Sequence, residues 1–375
     1  MTRAQRFFLD LVQPFPLQSP LELTVEELME IKALAWRHKV LMLVYSRFKG
    51  HAAEFGADNN LREFLKSNES YYLSNIALSA RQDETEKQVG ELLQSEGIPS
   101  VVFKGNMLAR DVYGDMFCRT SSDVDILIKP GDAVAVDRLL LHRGFTLEGE
   151  APLEFSLLRI HHVGYRTPQR NDLVEMHWHF AVPYFFKLSA AEIWDEVIVM
   201  NGKLALTREM ILIMLFLHHH SHSFRQLKVL IDVLWALYKY RDKVDQSSLL
   251  LRLKEIGLAN TAFISSRQIV TLWDKAADEL PFLVTLQDNV PGVDSIRRRC
   301  LDHYFRIDPD GDTGFLSSTD KLVKRLSLDK WNMVFQSYAK GLFPPTQAIR
   351  RYGGGNNLPA SYGKYLGAII RSWLR

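Results

Sequence analysis

The chain has 375 residues, of which 47% are hydrophobic and 24% charged, with 46 Lys plus Arg against 44 Asp plus Glu. That length supports two or three domains with ample core, and the near-zero charge balance does not by itself mark a nucleic-acid binder. Cys118 and Cys300 provide no disulfide framework, no run approaches the ~18 apolar residues of a membrane span, and the N-terminus lacks the apolar stretch of a signal peptide, so the expected compartment is the cytoplasm.

In chain order, residues 25–49 predict helix, with Thr24 and Glu27 spaced as a capping box. Residues 59–97 read as further helix, ending at Gly97-Ile98-Pro99. The period then changes. Ser100–Phe103 reads as a strand, Asn106–Tyr113 as a helix and Val124–Ile128 as a strand. Pro130 opens a helix that Gly144 stops, and strands follow at His162–Arg166 and Leu173–Trp178. Val197–Met200 turns at Asn201-Gly202 into Leu204–Leu206, a strong hairpin signal. From Thr207 the pattern is helical through roughly Leu301, then a loop over 307–319, a helix at Lys321–Tyr338 and a Gly-rich linker at Pro344–Pro359. The expected fold is α+β, a small mixed β-sheet embedded in a mostly α-helical chain. The expected divisions are 1–97 helical, 98–206 an α/β core, 207–343 a helical domain, and 344–375 a linker and basic tail.

The chemistry concentrates in the β-rich part. In Ser122-Asp123-Val124-Asp125, strand alternation puts Asp123 and Asp125 on one face and Val124, Ile126 and Ile128 on the other. In Leu173–Trp178 the same alternation puts Glu175 and His177 on one face. If the two strands are neighbours, Glu175 joins Asp123 and Asp125 in a three-carboxylate site of the kind that holds two Mg²⁺ ions. Asp172 competes for the third position, but its parity places it with the apolar face. Lys104-Gly105 closes the first strand and offers a cation and close backbone approach to an anion. Arg119 can contact phosphate or hold the acids, and His177 can orient Glu175 or contact phosphate.

Phe103-Lys104-Gly105, Arg119, Ser122-Asp123-Val124-Asp125-Ile126-Leu127 and Glu175-Met176-His177-Trp178, in that order, resemble an uncharacterised bacterial nucleotidyltransferase family of the DNA polymerase β-like superfamily. The resemblance extends to Ala35 and His38-Lys39 and to His218, His222, Leu227 and Asp232, and so covers about residues 25–240. Glu175 departs from the pattern, where Asp is frequent. The resemblance implies a polymerase β-like core and a Mg²⁺- or Mn²⁺-dependent transfer of a nucleoside monophosphate from an NTP to an acceptor, with pyrophosphate leaving. It assigns Asp123, Asp125 and Glu175 as catalytic and metal-binding residues. Lys104, Gly105, Arg119, Ser122, His177 and His222 fall to the nucleotide and its phosphates. The acceptor is open between a sugar, a lipid-linked group, a peptide, a protein and RNA. Two other outcomes fit the same residues: a non-catalytic nucleotide- or partner-binding protein, and kinase-like transfer of the γ-phosphoryl group.

Other motifs weigh less. His218 and His222 share a helical face at i, i+4, but His219 stands where a zinc protease places its Glu, so packing or substrate contact is the expectation. Asp308-Pro309-Asp310-Gly311-Asp312 opens like a Ca²⁺ loop but fails at Thr313 and Thr319, and reads as a surface turn. Cys118 has no paired base. The basic, aromatic tail Tyr362–Arg375 fits a terminal helix packed on its own domain, an anionic membrane surface or an acidic partner.

Overall fold

The computed structural model describes residues 1–17, 22–51, 59–148, 160–182 and 185–285, together with isolated positions at 153 and 157 and beyond 285. The expected Ca²⁺-like turn lies outside the described residues, and so do most of the helix expected at Lys321–Tyr338 and most of the basic tail. Among the described residues no helix is long and apolar enough to cross a membrane.

Three helices open the chain: α1 (Arg3–Val12), α2 (Val25–Arg37) and α3 (Leu41–Gly50). Thr2 and Thr24 each form the reciprocal capping box, with Gln5 and Glu27 as the returning side chains. The helix expected over 25–49 is broken in two. Lys39 takes a left-handed φ of 56°, and the Val40 N–H closes back on the Ala35 carbonyl at 2.8 Å, the 6→1 bond of a helix stop that usually has glycine at the left-handed position. The long α4 (Asn59–Ser95) follows, then β1 (Ser100–Val102) and α5 (Gly105–Leu108), which runs into one π-helical turn, Ala109–Tyr113.

Next come β2 (Asp123–Ile128), α6 (Ala133–His142), β3 (Thr146–Leu147), β4 (His162–Arg166) and β5 (Leu173–His177). The sheet order is β1-β2-β5-β4-β3, mixed in direction. β2 and β5 are its parallel pair, and the β1–β2, β4–β5 and β3–β4 pairs are antiparallel. A parallel pair requires a long crossover, and α6, β3 and β4 lie within it. β3 was not visible in the sequence; it is two residues long. After α7 (Ala190–Asp195), the hairpin β6 (Val197–Met200) and β7 (Lys203–Leu206) pairs only with itself. The C-terminal helices are α8 (Arg208–Ser221), α9 (Leu227–Tyr240), α10 (Gln246–Ile256), α11 (Ala259–Leu272), and the short α12 (Ala276–Glu279) and α13 (Phe282–Thr285).

Two hydrophobic clusters divide the molecule. One fills the apolar face of the sheet: Val124, Ile126 and Ile128 of β2 with Val174 and Met176 of β5, packed on Val136 and Leu140 of α6 and Val89 and Leu93 of α4. The other joins the N-terminal helices α1–α3 to α8–α11 in one core, which also takes Leu127 from the opposite face of β2. The acid-bearing face of the sheet therefore looks toward the helical body.

A buried ion pair ties the two together. Arg119, in the segment before β2, forks onto Asp232 of α9 with Nε–Oδ1 at 2.9 Å and Nη2–Oδ2 at 3.0 Å. Tyr113 donates to Asp232 Oδ1 at 2.6 Å and stacks on Trp235, with ring centroids 4.8 Å apart. Lys228 donates to the Thr120 carbonyl and Tyr240 to Asp111. Asp232→Ala would leave the Arg119 guanidinium buried without its partner, a change that costs about 3–5 kcal/mol. Urea unfolding of the variant should show that loss; a change below about 1 kcal/mol would place the tie in the range of exposed pairs.

Candidate active site

The register of the parallel pair builds the site. Asp125 lies opposite Glu175 and Asp123 opposite Leu173, so the carboxylates of Asp123, Asp125 and Glu175 share one face of two adjacent strands. On the far side of β5, His162 lies opposite His177, which adds two imidazoles to that face. Phe103 packs edge-on against the His177 ring, with centroids 5.0 Å apart.

Asp125 is buried among cations. Its Oδ1 lies 2.6 Å from Lys104 Nζ and 2.8 Å from His177 Nε2. Burial alone would raise the Asp125 carboxyl, but Lys104 and His177 outweigh it and hold the carboxyl well below the usual range. His177 Nε2 also donates to Glu175 Oε2 at 3.1 Å. Burial works against the His177 charge, yet hydrogen bonds to Asp125 and Glu175 raise its pKa. Glu175 is lowered against the pull of burial, chiefly by His177 and then by His162. Asp123 goes the other way, pushed up by burial and then by the charges of Asp125 and Glu175.

The turn before β2 is held from α4 and by its own serine. Ser121 Oγ donates to the Asp123 backbone carbonyl at 3.2 Å and to Asp123 Oδ1 at 3.1 Å, and Gln82 donates to the Ser121 carbonyl at 3.1 Å. Ser122, by contrast, is exposed. Gly105 sits at φ +59°, and a Cβ there would be 3.7 Å from Asp123 O, from Glu86 Oε1 and from Ser121 Oγ. The left-handed backbone, more than the space, calls for glycine. Glu86 is a buried acid that sequence reasoning missed; burial raises its pKa to about 7. A signal for it exists. Asn68, Asn75, Ser79, Gln82 and Glu86 are all buried and recur at helical spacing along α4, a polar stripe where a packing helix normally shows an apolar one.

The remaining expected residues are distributed as follows. Asp172 is out of the site, its carboxylate taken by Arg81 at 2.8 Å and by the Thr85 hydroxyl at 3.1 Å. The Arg119 guanidinium forks onto Asp232, and Asp125 acts on it less strongly than Asp232 and Tyr113 do. His218 and His222 pack edge to face, with centroids 4.7 Å apart, and burial keeps both neutral, His222 at about 4. After burial, the influences on His222 are Lys104, Lys324, Lys228 and Lys39, so basic groups from four parts of the chain converge around His222. Lys228 is itself lowered to about 7 by burial and then by Arg119. His219 and His220 are taken by Ser265 Oγ at 2.9 Å and by the Lys324 carbonyl at 2.8 Å. Cys118 is buried with its thiol pushed up and its Sγ 3.0 Å from the Asp115 carbonyl, so it offers no thiolate.

The donor set suits a hard divalent ion. Asp125, Glu175 and His177 bring ligand atoms within 4.8 Å of one another, and the Asp123 carboxyl on the same face is raised by burial and then by the charges of Asp125 and Glu175. Divalent ions take such carboxylate oxygens; Asp125 and Glu175, with His177, are the donors close enough to share one, while Asp123 lies on the same face outside that group. Among the described residues, His218 and His222 belong to no group of three metal-donor side chains.

The opposite shifts of the two aspartates predict opposite stability effects. The raised Asp123 carboxyl contributes stability that is present below its ordinary value of 3.8 and lost as pH rises through its folded value. The lowered Asp125 carboxyl contributes stability that is present above 3.8 and lost as pH falls through its folded value. In EDTA at pH 7, Asp123→Asn should therefore raise Tm or leave it unchanged, while Asp125→Asn should lower it. Thermal unfolding followed by circular dichroism checks both, and a fall in Tm for Asp123→Asn would contradict the raised carboxyl.

A family described as "Uncharacterised nucleotidyltransferase" matches residues 26–274, more than half of the chain. No curated protein and no solved structure matches it. The matched span contains the whole sheet, the three acids, Lys104 and the α9 residue that anchors Arg119. The chain belongs to this uncharacterised nucleotidyltransferase family, part of the DNA polymerase β-like superfamily.

Proposed function

We propose that this protein is a Mg²⁺- or Mn²⁺-dependent nucleotidyltransferase that moves a nucleoside monophosphate from an NTP to an acceptor and releases pyrophosphate. The observation that carries this reading is the pairing of Asp125 with Glu175 across parallel strands, with Asp123 on the same face. Two bound divalent ions would stabilise the attacking and leaving oxygens of an in-line displacement. Asp123, Asp125 and Glu175 hold that charge in place. Glu175, the least enclosed of the acids bonded to His177, also serves as acceptor for the proton of the attacking hydroxyl. Lys104, on leaving Asp125, is positioned to meet the triphosphate. In the transfer, the acceptor oxygen bonds to the α-phosphorus, the bond from that phosphorus to the bridging oxygen breaks, and pyrophosphate departs.

Incubation with ATP labelled separately in the α- and γ-phosphates, against a panel of sugar, lipid-linked, peptide, protein and RNA acceptors, tests the reading. Label from the α-position should appear on an acceptor with pyrophosphate released. Asp123→Asn should lower that transfer by at least about 10²-fold without unfolding the protein. Label from the γ-position alone would establish kinase-like transfer instead. Tight NTP binding with no transfer to any acceptor would establish a binding protein on the same fold.

A further inference from the structure

Beside the three acids stands a group of imidazoles that the transfer reaction does not require. His161, His162 and His177 each bring one ring nitrogen within 4.8 Å of the other two. Their ring centroids are 4.6 Å apart for His161–His162, 4.8 Å for His162–His177 and 5.8 Å for His161–His177. The group is built into the fold. His162 and His177 are cross-strand partners, and Trp178 fixes the residues before β4, its backbone N–H on the His161 carbonyl at 3.0 Å and its indole N–H on the Ile160 carbonyl at 3.1 Å.

The hydrogen bonding of these rings is incomplete in one consistent way. Nδ1 of His161, of His162 and of His177 is buried without a hydrogen-bond partner. A buried polar atom left unpaired costs about 1–3 kcal/mol, and native proteins hold few of them. The neighbouring His179 shows the satisfied alternative: its Nε2 meets the Leu188 carbonyl at 2.6 Å and its Nδ1 accepts from the Ala181 N–H at 3.1 Å. The buried, unpaired Nδ1 atoms of His161 and His162 are lone pairs open to a metal. His177 carries a proton on Nε2, donated to Glu175. That is the arrangement in which a carboxylate orients a metal-ligating imidazole and leaves the other ring nitrogen to the metal. Any proton on His177 Nδ1 is one that a metal displaces on binding.

We propose that His161, His162 and His177 form a second divalent-metal site, contiguous with the carboxylate face but of a different donor type, that takes an imidazole-preferring ion such as Zn²⁺ or Co²⁺. Nitrogen donors favour these ions over Mg²⁺. Metal–nitrogen bonds of about 2.0–2.1 Å put tetrahedral ligand nitrogens about 3.4 Å apart, which small ring rotations reach. Glu175 faces Nε2 of both His162 and His177, at 3.8 Å and 3.1 Å, so it orients the rings from the side away from Nδ1 and leaves the rest of the shell to solvent. Since His177 also bonds Glu175 and contacts Asp125, an ion on the imidazoles fixes the geometry of the acids. This site stands whether or not the carboxylate face performs nucleotidyl transfer.

The test uses the full-length protein, stripped with EDTA and titrated with Co²⁺ in excess Mg²⁺, followed by visible absorption and by calorimetry. A single equivalent should bind with the absorption of nitrogen-ligated cobalt and resist displacement by Mg²⁺. His161→Ala and His162→Ala should each weaken it by at least about 10-fold, while Asp123→Asn leaves it intact. His161→Gln, with circular dichroism matched to the parent, covers the case in which an alanine variant fails to fold. No saturable Co²⁺ binding, binding that survives both histidine changes, or binding lost with Asp123→Asn would each overturn the proposal. Because the readout needs no nucleotide, its failure is distinguishable from failure of the transfer reaction.

Discussion

The parallel hydrogen-bonded pairing of β2 with β5 is the constraint on which the site depends. Strand alternation fixes which residues share a face, and register fixes which of them meet. With Asp125 opposite Glu175, three carboxylates gather on one surface while Val124, Ile126, Val174 and Met176 fill the core behind it. A slip of one residue would send Glu175 into that core and Met176 onto the acid face. The apolar cluster and the acid cluster are therefore two consequences of one register, and the free energy of burying the first holds the second together against its own repulsion.

That repulsion shapes the surroundings. Lys104 and His177 both crowd Asp125, while Asp123 is left with a raised carboxyl. Cations are thus distributed unevenly over the three acids. The helical body holds this arrangement from outside. α4 supplies Gln82 to the turn before β2 and Arg81 and Thr85 to Asp172 at the start of β5. α9 supplies Asp232 to Arg119. Both strands that carry the acids are thereby fixed at their N-terminal ends by buried polar contacts, which lose more when broken than they gain when formed. Such contacts favour one arrangement over many.

Much of this was legible in the sequence because it rests on local rules. The Asp123-Val124-Asp125 alternation, the parity that excludes Asp172 and the capping box at Thr24 need only neighbouring residues, and the sheet embedded in helices follows from the change of period. What escaped depends on contacts distant in sequence. Arg119 and Asp232 are 113 residues apart, so nothing near Arg119 shows that its guanidinium pairs with α9. The break at Lys39 was hidden because a non-glycine residue takes the left-handed turn, where glycine would have marked the helix end. Glu86 was overlooked because a polar residue on a long helix reads as solvated until the stripe from Asn68 onward is noticed. His161-His162 and His177-Trp178-His179 read in the sequence only as a histidine-rich region, since what brings His162 to His177 is strand pairing.

The central claim is that the face of Asp123, Asp125 and Glu175 holds the metal ions on which an NTP is bound. The most direct measurement is a crystal structure of the protein with Mn²⁺ and a non-hydrolysable NTP analogue, with the ions located by anomalous scattering. The account predicts Mn²⁺ at ligand distance from all three carboxylates, with Lys104 released from Asp125 and turned to the triphosphate. Mn²⁺ and nucleotide bound elsewhere, with the Lys104–Asp125–His177 contacts intact, would contradict it.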